Sequence, residues 1–189
     1  GTAPGAGNII SGNQGPGIDV SGYVSTPLNI GALNTLIEGN FIGVDVTGTV
    51  AIANQDGGIR VGTDLLQSGN AASSSAIIGG ATPAARNVIA GNGALSSPAG
   101  GILVRQYSVG TQIFGNYIGT NAAANATVAN SGSGVAIDGA SNTIIGGTSP
   151  GEGNLISGNS SSGVIVQGTG TGNAIIANAI FNNGGLGID

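Results

Sequence analysis

The chain has 189 residues, of which 39 are glycine, 40% are hydrophobic and 6% are charged. Eight acidic side chains against three basic ones give a net charge of −5, so Arg60, Arg86 and Arg105 are too few to build the basic surface that nucleic acid requires. The composition is too hydrophobic for intrinsic disorder and its glycines lack a collagen period, while the absence of Cys, His and Lys excludes disulfides, thiolate metal sites, histidine bases and Schiff-base lysines.

In chain order, a linker from Gly1 leads into Asn8-Ile9-Ile10-Ser11-Gly12-Asn13, designated strand C. Strand A follows at Gly17-Ile18-Asp19-Val20, and strand B is centred on Ile37. The order C, A, B then recurs to the end of the sequence. Strand C is centred on Ile10, Ile42, Ile89, Ile118, Ile156 and Ile180, and strand B on Ile37, Ile77, Ile113, Ile144 and Ile175. Strand A starts at Gly17, Gly58, Gly101, Gly134, Gly163 and Gly187. Each segment is short, β-branched or aliphatic, alternating, and bounded by Gly or Asn, which is the punctuation of a strand.

A strand type that returns every third element predicts a coil, in which like strands stack in parallel about 4.8 Å apart. The expected fold is all-β: one right-handed parallel β-helix over 1–189, three short strands per turn, about five turns, with no evident end caps. Its length would be on the order of 25 Å.

The period is two turns. The B-to-C link is tight at Gly39-Asn40, Gly115-Asn116 and Ala177-Asn178, but long at 80–87 and 147–154, which the linker 1–8 matches. Asn suits these corners because it tolerates left-handed backbone and can hydrogen-bond to its copies along the stack.

These motifs resemble right-handed parallel β-helix proteins of the pectate-lyase-like superfamily, and most of all the repeat regions of bacterial secreted and surface proteins. The likeness is carried by Asn154-Leu155-Ile156-Ser157-Gly158-Asn159, Gly115-Asn116-Tyr117-Ile118-Gly119 and Asn142-Thr143-Ile144-Ile145-Gly146-Gly147. It covers essentially the whole chain and is specific for fold, not function, because the superfamily holds lyases, hydrolases, tailspikes and non-catalytic adhesins.

The resemblance implies what a catalytic relative would need: clustered aspartates with His and a basic pair, or calcium-binding carboxylates with a basic residue. Asp19, Glu38, Asp45, Asp56, Asp64, Asp138, Glu152 and Asp189 are scattered, so no catalytic, cofactor or metal residue is expected. Asp19 with Arg60, and Arg105 with Asp138, read as cross-turn ion pairs. Asp45, Asn54 and Asp56 are the one combination weighed for calcium, and the second copy of that loop replaces Asp45 by Asn121 and Asp56 by Gly132.

For sugar binding, Tyr23 and Tyr107 in A-to-B loops outrank Phe41 and Tyr117, which read as wall residues. Strand B supplies only Thr35, Thr111 and Thr143, which are read as not in one register. Asn125-Ala126-Thr127 and Asn159-Ser160-Ser161 match glycosylation acceptors.

If Ile37, Ile77, Ile113, Ile144 and Ile175 point inward, then Glu38, Ile78, Phe114, Ile145 and Ile176 face out. In strand A the outward column runs Asp19, Arg60, Leu103, Ala136, Ile165. An apolar stripe of this kind predicts cover by loops such as 62–75 or by another subunit. The start at Gly1-Thr2 without Met, and the stop within strand A, predict either a segment of a longer repeat protein or end-to-end stacking. In a seamless stack one B strand would be missing at each joint.

The expected role is a non-catalytic extracellular or cell-surface module, structural or adhesive, that self-associates axially or laterally, with glycans as a further partner class and no nucleic acid, membrane span or signal peptide. The alternatives are a carbohydrate-binding or polysaccharide-cleaving β-helix and a passive spacer in a large adhesin.

Overall fold

A computed structural model describes residues 1–25, 28–63, 74–95 and 98–189, with residues 23–25 and 28–30 described through their backbone. No helix is present among them. Three parallel sheets hold the coil together, and each collects one strand type. The C sheet stacks β1 (Ile9–Ile10), β6 (Phe41–Ile42), β9 (Val88–Ile89), β12 (Tyr117–Ile118), β15 (Leu155–Ser157) and β18 (Ala179–Phe181). The A sheet stacks β2 (Ile18–Val20), β7 (Ile59–Val61), β10 (Ala99–Arg105), β13 (Ser133–Asp138) and β16 (Val164–Gln167), and Ile188 adds a bridge to Val164. The B sheet stacks β5 (Thr35–Ile37), β8 (Ala76–Gly79), β11 (Gln112–Phe114), β14 (Ile144–Gly146) and β17 (Ala174–Ile176). The result is a right-handed parallel β-helix with three strands per turn. A short antiparallel pair, β3 (Tyr23–Ser25) and β4 (Leu28–Ile30), branches from the first A-to-B link.

The core consists of columns of like side chains. Ile10, Ile42, Ile89, Ile118, Ile156 and Ile180 are in register along the C sheet. Val20, Val61, Val104, Ile137 and Val166 are in register along the A sheet. A β-branched residue above its own kind fills the pleat with few voids, which is why Ile and Val dominate these positions.

The B column corrects the sequence expectation. Ile37, Ile78, Ile113, Ile145 and Ile175 share the inward register, so Ile77 and Ile144 sit one place off the core. Ile78 is fully buried, whereas Ile77 is 36% and its neighbour Leu36 58% exposed. In an Ile-Ile pair alternation cannot say which member points in, because either choice buries an isoleucine. The outward positions expected to hold Ile78 and Ile145 therefore hold Gly79 and Gly146.

The A-sheet register Asp19, Arg60, Leu103, Ala136, Ile165 agrees with expectation, but the stripe is not open to water. Leu103 is 3% exposed and Ala136 is buried, and both cluster with Ala99, where β10 bulges before Ile102. Of the expected covering loop 62–75, residues 64–73 lie outside the described residues, as does Asp64.

Candidate functional site

The strongest candidate for function is a pair of asparagine ladders along the two margins of the C sheet. In the first, Nδ2 of Asn8, Asn40, Asn87, Asn116 and Asn154 donates in turn to Oδ1 of Asn40, Asn87, Asn116, Asn154 and Asn178, at 2.8–3.0 Å. In the second, Asn13, Asn54, Asn92, Asn130 and Asn159 donate in the same direction to Asn54, Asn92, Asn130, Asn159 and Asn183, at 2.7–3.0 Å. The second Nδ2 proton of an interior rung reaches a carbonyl of the turn below, as from Asn116 to Ile78 and from Asn130 to Ile89. The acceptor Oδ1 also takes a backbone N–H, as Asn154 does from Asn116. An interior ladder amide thereby uses its full bonding capacity in a dry wall, where any missing partner would be costly.

The corner asparagines were expected to bond along the stack, and they do; the second ladder was not foreseen. Its signal was present in the hexamers, which carry Asn at both ends. The left-handed backbone expected of these asparagines belongs to the residue before them. It falls on Gly39, Gly115 and Ala177 ahead of the first ladder, and on Gly12, Gly91, Gly158 and Asn182 ahead of the second.

Two inserts that follow strand C form an outer layer. Residues 43–53 and 119–129 fold back as paired loops through the bridges Val44 to Ala51 and Thr120 to Thr127. The Ala122 N–H donates to the Gly48 carbonyl and the Gly91 N–H to the Val128 carbonyl, so the two loops close over the turn between them. Val44, Ala122 and Val128 pack around Val88, which is 3% exposed.

Asp45 organises the first of these loops. Backbone N–H groups of Val50 and Thr49 and the Thr47 hydroxyl donate to its carboxylate and hold its pKa down to about 2. Asn121 does the same in the second loop, accepting from the N–H groups of Asn125 and Ala126. A neutral amide performs the identical task, so the loop needs an acceptor oxygen and not a charge. Asn54 is committed to the ladder and Asp56 lies 3.7 Å from Arg60, so the three residues weighed for calcium have separate partners. Among the described residues no group of three metal-ligating side chains occurs.

Asp19 and Arg60 form the expected cross-turn pair, with Nε donating to Oδ2 at 3.2 Å. Arg105 and Asp138 are register partners on β10 and β13. Arg86 stacks over the Tyr117 ring at 4.1 Å and donates to the Gly115 carbonyl, which fixes Tyr117 as a wall residue. Phe41 and Tyr117 are separated by Val88 in the register. Tyr107 is half-buried with a left-handed backbone, and Tyr23 opens β3. Thr35, Thr111 and Thr143 fall at one register place of the B sheet, against expectation, but Ala76 stands between Thr35 and Thr111, and Thr111 and Thr143 are buried, so no exposed threonine array results. Of the two glycosylation patterns, Asn125 is exposed and Asn159 is a buried ladder rung.

Two shallow depressions flank the C sheet. One of about 250 Å³ is lined by Ile9, Phe41 and Val46, and one of about 130 Å³ by Asn125, Thr127, Leu155 and Phe181. Neither gathers carboxylates or bases. No described helix is long and apolar enough to cross a membrane. No protein-family model, curated protein or solved structure matches the chain.

Proposed function

We propose that this chain is a non-catalytic structural or adhesive module of an extracellular or cell-surface protein, one that self-associates along its axis. The observation that carries the reading is the pair of one-way asparagine ladders beside continuous Ile and Val columns. Such a wall makes every turn a template for the next and gives a stiff, repeatable rod. The carboxylates support it from the other side: Asp45 caps a loop, and Asp19 and Asp56 both lie against Arg60. The likeness to the non-catalytic repeat regions of the pectate-lyase-like superfamily belongs to this proposal and rests on fold and motif.

Light scattering on the purified chain over a wide concentration range, with negative-stain electron microscopy, tests the reading. Growth into rods with a uniform axial repeat is the expected result. A monomer at every concentration removes self-association, and cleavage or capture of oligosaccharides in a glycan screen would replace the module by a carbohydrate-active one.

A further inference from the structure

Laying residues 119–130 on 43–54 places Asn125-Ala126-Thr127 of the second insert where the first carries Thr49-Val50-Ala51. The second insert thus gains the Asn-X-Thr pattern of a glycosylation acceptor, with no proline at its middle place. All three residues are exposed.

The amide of Asn125 is held one way round. The backbone N–H groups of Asn125 and Ala126 donate to Oδ1 of Asn121 at 3.0 and 3.3 Å, which leaves Asn121 its Nδ2 to offer. That group donates to Oδ1 of Asn125 at 2.8 Å. Asn125 therefore meets its own loop with the oxygen and turns Nδ2 outward. Among the described residues nothing bonds to Nδ2 of Asn125 or to the Thr127 hydroxyl. Thr127 is seated over Gly158, where a Cβ on the glycine would lie 2.6 Å from its methyl carbon.

The other copy of the pattern, Asn159-Ser160-Ser161, is an internal contrast. Asn159 is 1% exposed, and its Nδ2 gives both protons away, to the Ile118 carbonyl at 3.1 Å and to Oδ1 of Asn183 at 2.9 Å. A sugar on that nitrogen would remove one of the two protons and part the ladder. A sugar on Asn125 costs the fold no bond.

We infer that Asn125 is a glycosylation site, with Asn121 as its positioning residue and a sugar activated by phosphate at its anomeric carbon as the co-substrate of a transferase. In the transfer, Nδ2 of Asn125 forms a bond to the anomeric carbon, and the bond from that carbon to the phosphate oxygen breaks. The phosphate leaves with the electron pair, the amide proton passes to a base of the transferase, and nothing is oxidised or reduced. The inference goes beyond the proposed module and makes no use of its self-association. The role of Asn121 follows from its counterpart Asp45, which holds the first loop with a carboxylate that has no proton to offer. An aspartate at position 121 would hold the second loop equally well, but would draw Nδ2 of Asn125 inward as its partner.

Peptide mass spectrometry on the protein isolated from its native source reads both patterns at once. Sugar on Asn125 and none on Asn159 is the expected result, whereas bare asparagine at both, or equal occupancy of both, overturns the inference. The attached group separates the two sources of activated sugar: a pre-assembled oligosaccharide comes from a lipid pyrophosphate, a single sugar from a sugar nucleotide.

The folded, unmodified 189-residue chain is then given a purified transferase of the class so identified, with its sugar substrate. Thr127→Ala, which places the residue found at Ala51 of the first loop, should abolish transfer while leaving the melting curve in place. Asn121→Asp should slow transfer about ten-fold at an unchanged melting temperature, the factor that one hydrogen bond to a charged group is worth. Transfer to Asn121→Asp at the native rate overturns the positioning role. A chain that is monomeric but glycosylated at Asn125 keeps this inference and loses the self-association, and a chain that associates with Asn125 bare does the reverse.

Discussion

Asn87 and Asn116 lie one turn apart, and Nδ2 of Asn87 divides its two protons between Oδ1 of Asn116 at 2.9 Å and the Ile37 carbonyl at 2.8 Å. One side chain thus ties three turns together. Deleting any interior rung strands partners above and below it.

Asn116→Ala should therefore be severe. Asn116 is fully buried, donates to Asn154 and Ile78, and accepts from the main chain and Nδ2 of Asn87. With each unsatisfied buried group costing roughly 1–3 kcal/mol, the loss is expected at about 3–5 kcal/mol. Asn183→Ala, at a partly exposed rung, is expected to cost about 1 kcal/mol or less. Urea unfolding of the two variants measures the difference.

The B-sheet register has an equally direct check. Ile78→Ala empties a core position and should cost about 2–5 kcal/mol, whereas Ile77→Ala, on the outer face, should cost less than about 1 kcal/mol. Equal losses, or the reverse order, would restore the register expected from the sequence.

Asp45 sets a pH dependence. Its folded pKa lies at about 2, below the ordinary aspartate value, so its contribution to loop stability is present above about pH 4 and is lost as pH falls through 2. A carboxyl titration followed by NMR should find its midpoint near pH 2. Asp45→Asn should flatten this part of the acid limb while keeping the loop, because Asn121 holds the equivalent loop with an amide.

The tight corners yield a pair of opposite effects. Ala177 and Gly115 share the left-handed backbone, at φ 51° and 64°. An L side chain there costs roughly 1 kcal/mol, so Ala177→Gly is expected to stabilise by up to about 1 kcal/mol. Gly115→Ala should cost more than strain alone, because its Cβ would fall 2.2 Å from the Gly80 carbonyl oxygen and 2.7 Å from that of Gly151. Thermal melts of both variants decide the signs.

The repeat was legible because an inward isoleucine and a flanking asparagine must return every turn for a column or ladder to exist. Ile42, Ile89 and Ile118 and the corner asparagines Asn40 and Asn116 could therefore be placed from sequence. Ile77 and Ile144 could not, since adjacent isoleucines satisfy either register. The cover over Leu103 was also hidden: it depends on how β10 bulges at Gly100 and Gly101, and glycine pairs carry no directional signal. The Asn54 and Asn130 rungs were obscured because the inserts 43–53 and 119–129 displace them from their strand, so the hexamer pattern breaks where the ladder continues.

The staggering of long links and inserts, the first preceding one turn and the second following the next, governs how such a chain can change length. A duplication spanning two turns returns every loop to the site over which its predecessor packed, as the 119–129 loop repeats the 43–53 loop. Deleting the Val88 turn, or duplicating a turn that carries an insert, would set two inserts over adjacent turns with no gap turn for their apolar residues to close upon, and duplicating the Val88 turn would part them. Recombination within the coding sequence should therefore be tolerated in steps of two turns and purged in steps of one. Odd-numbered length changes would carry a packing defect that even-numbered ones avoid.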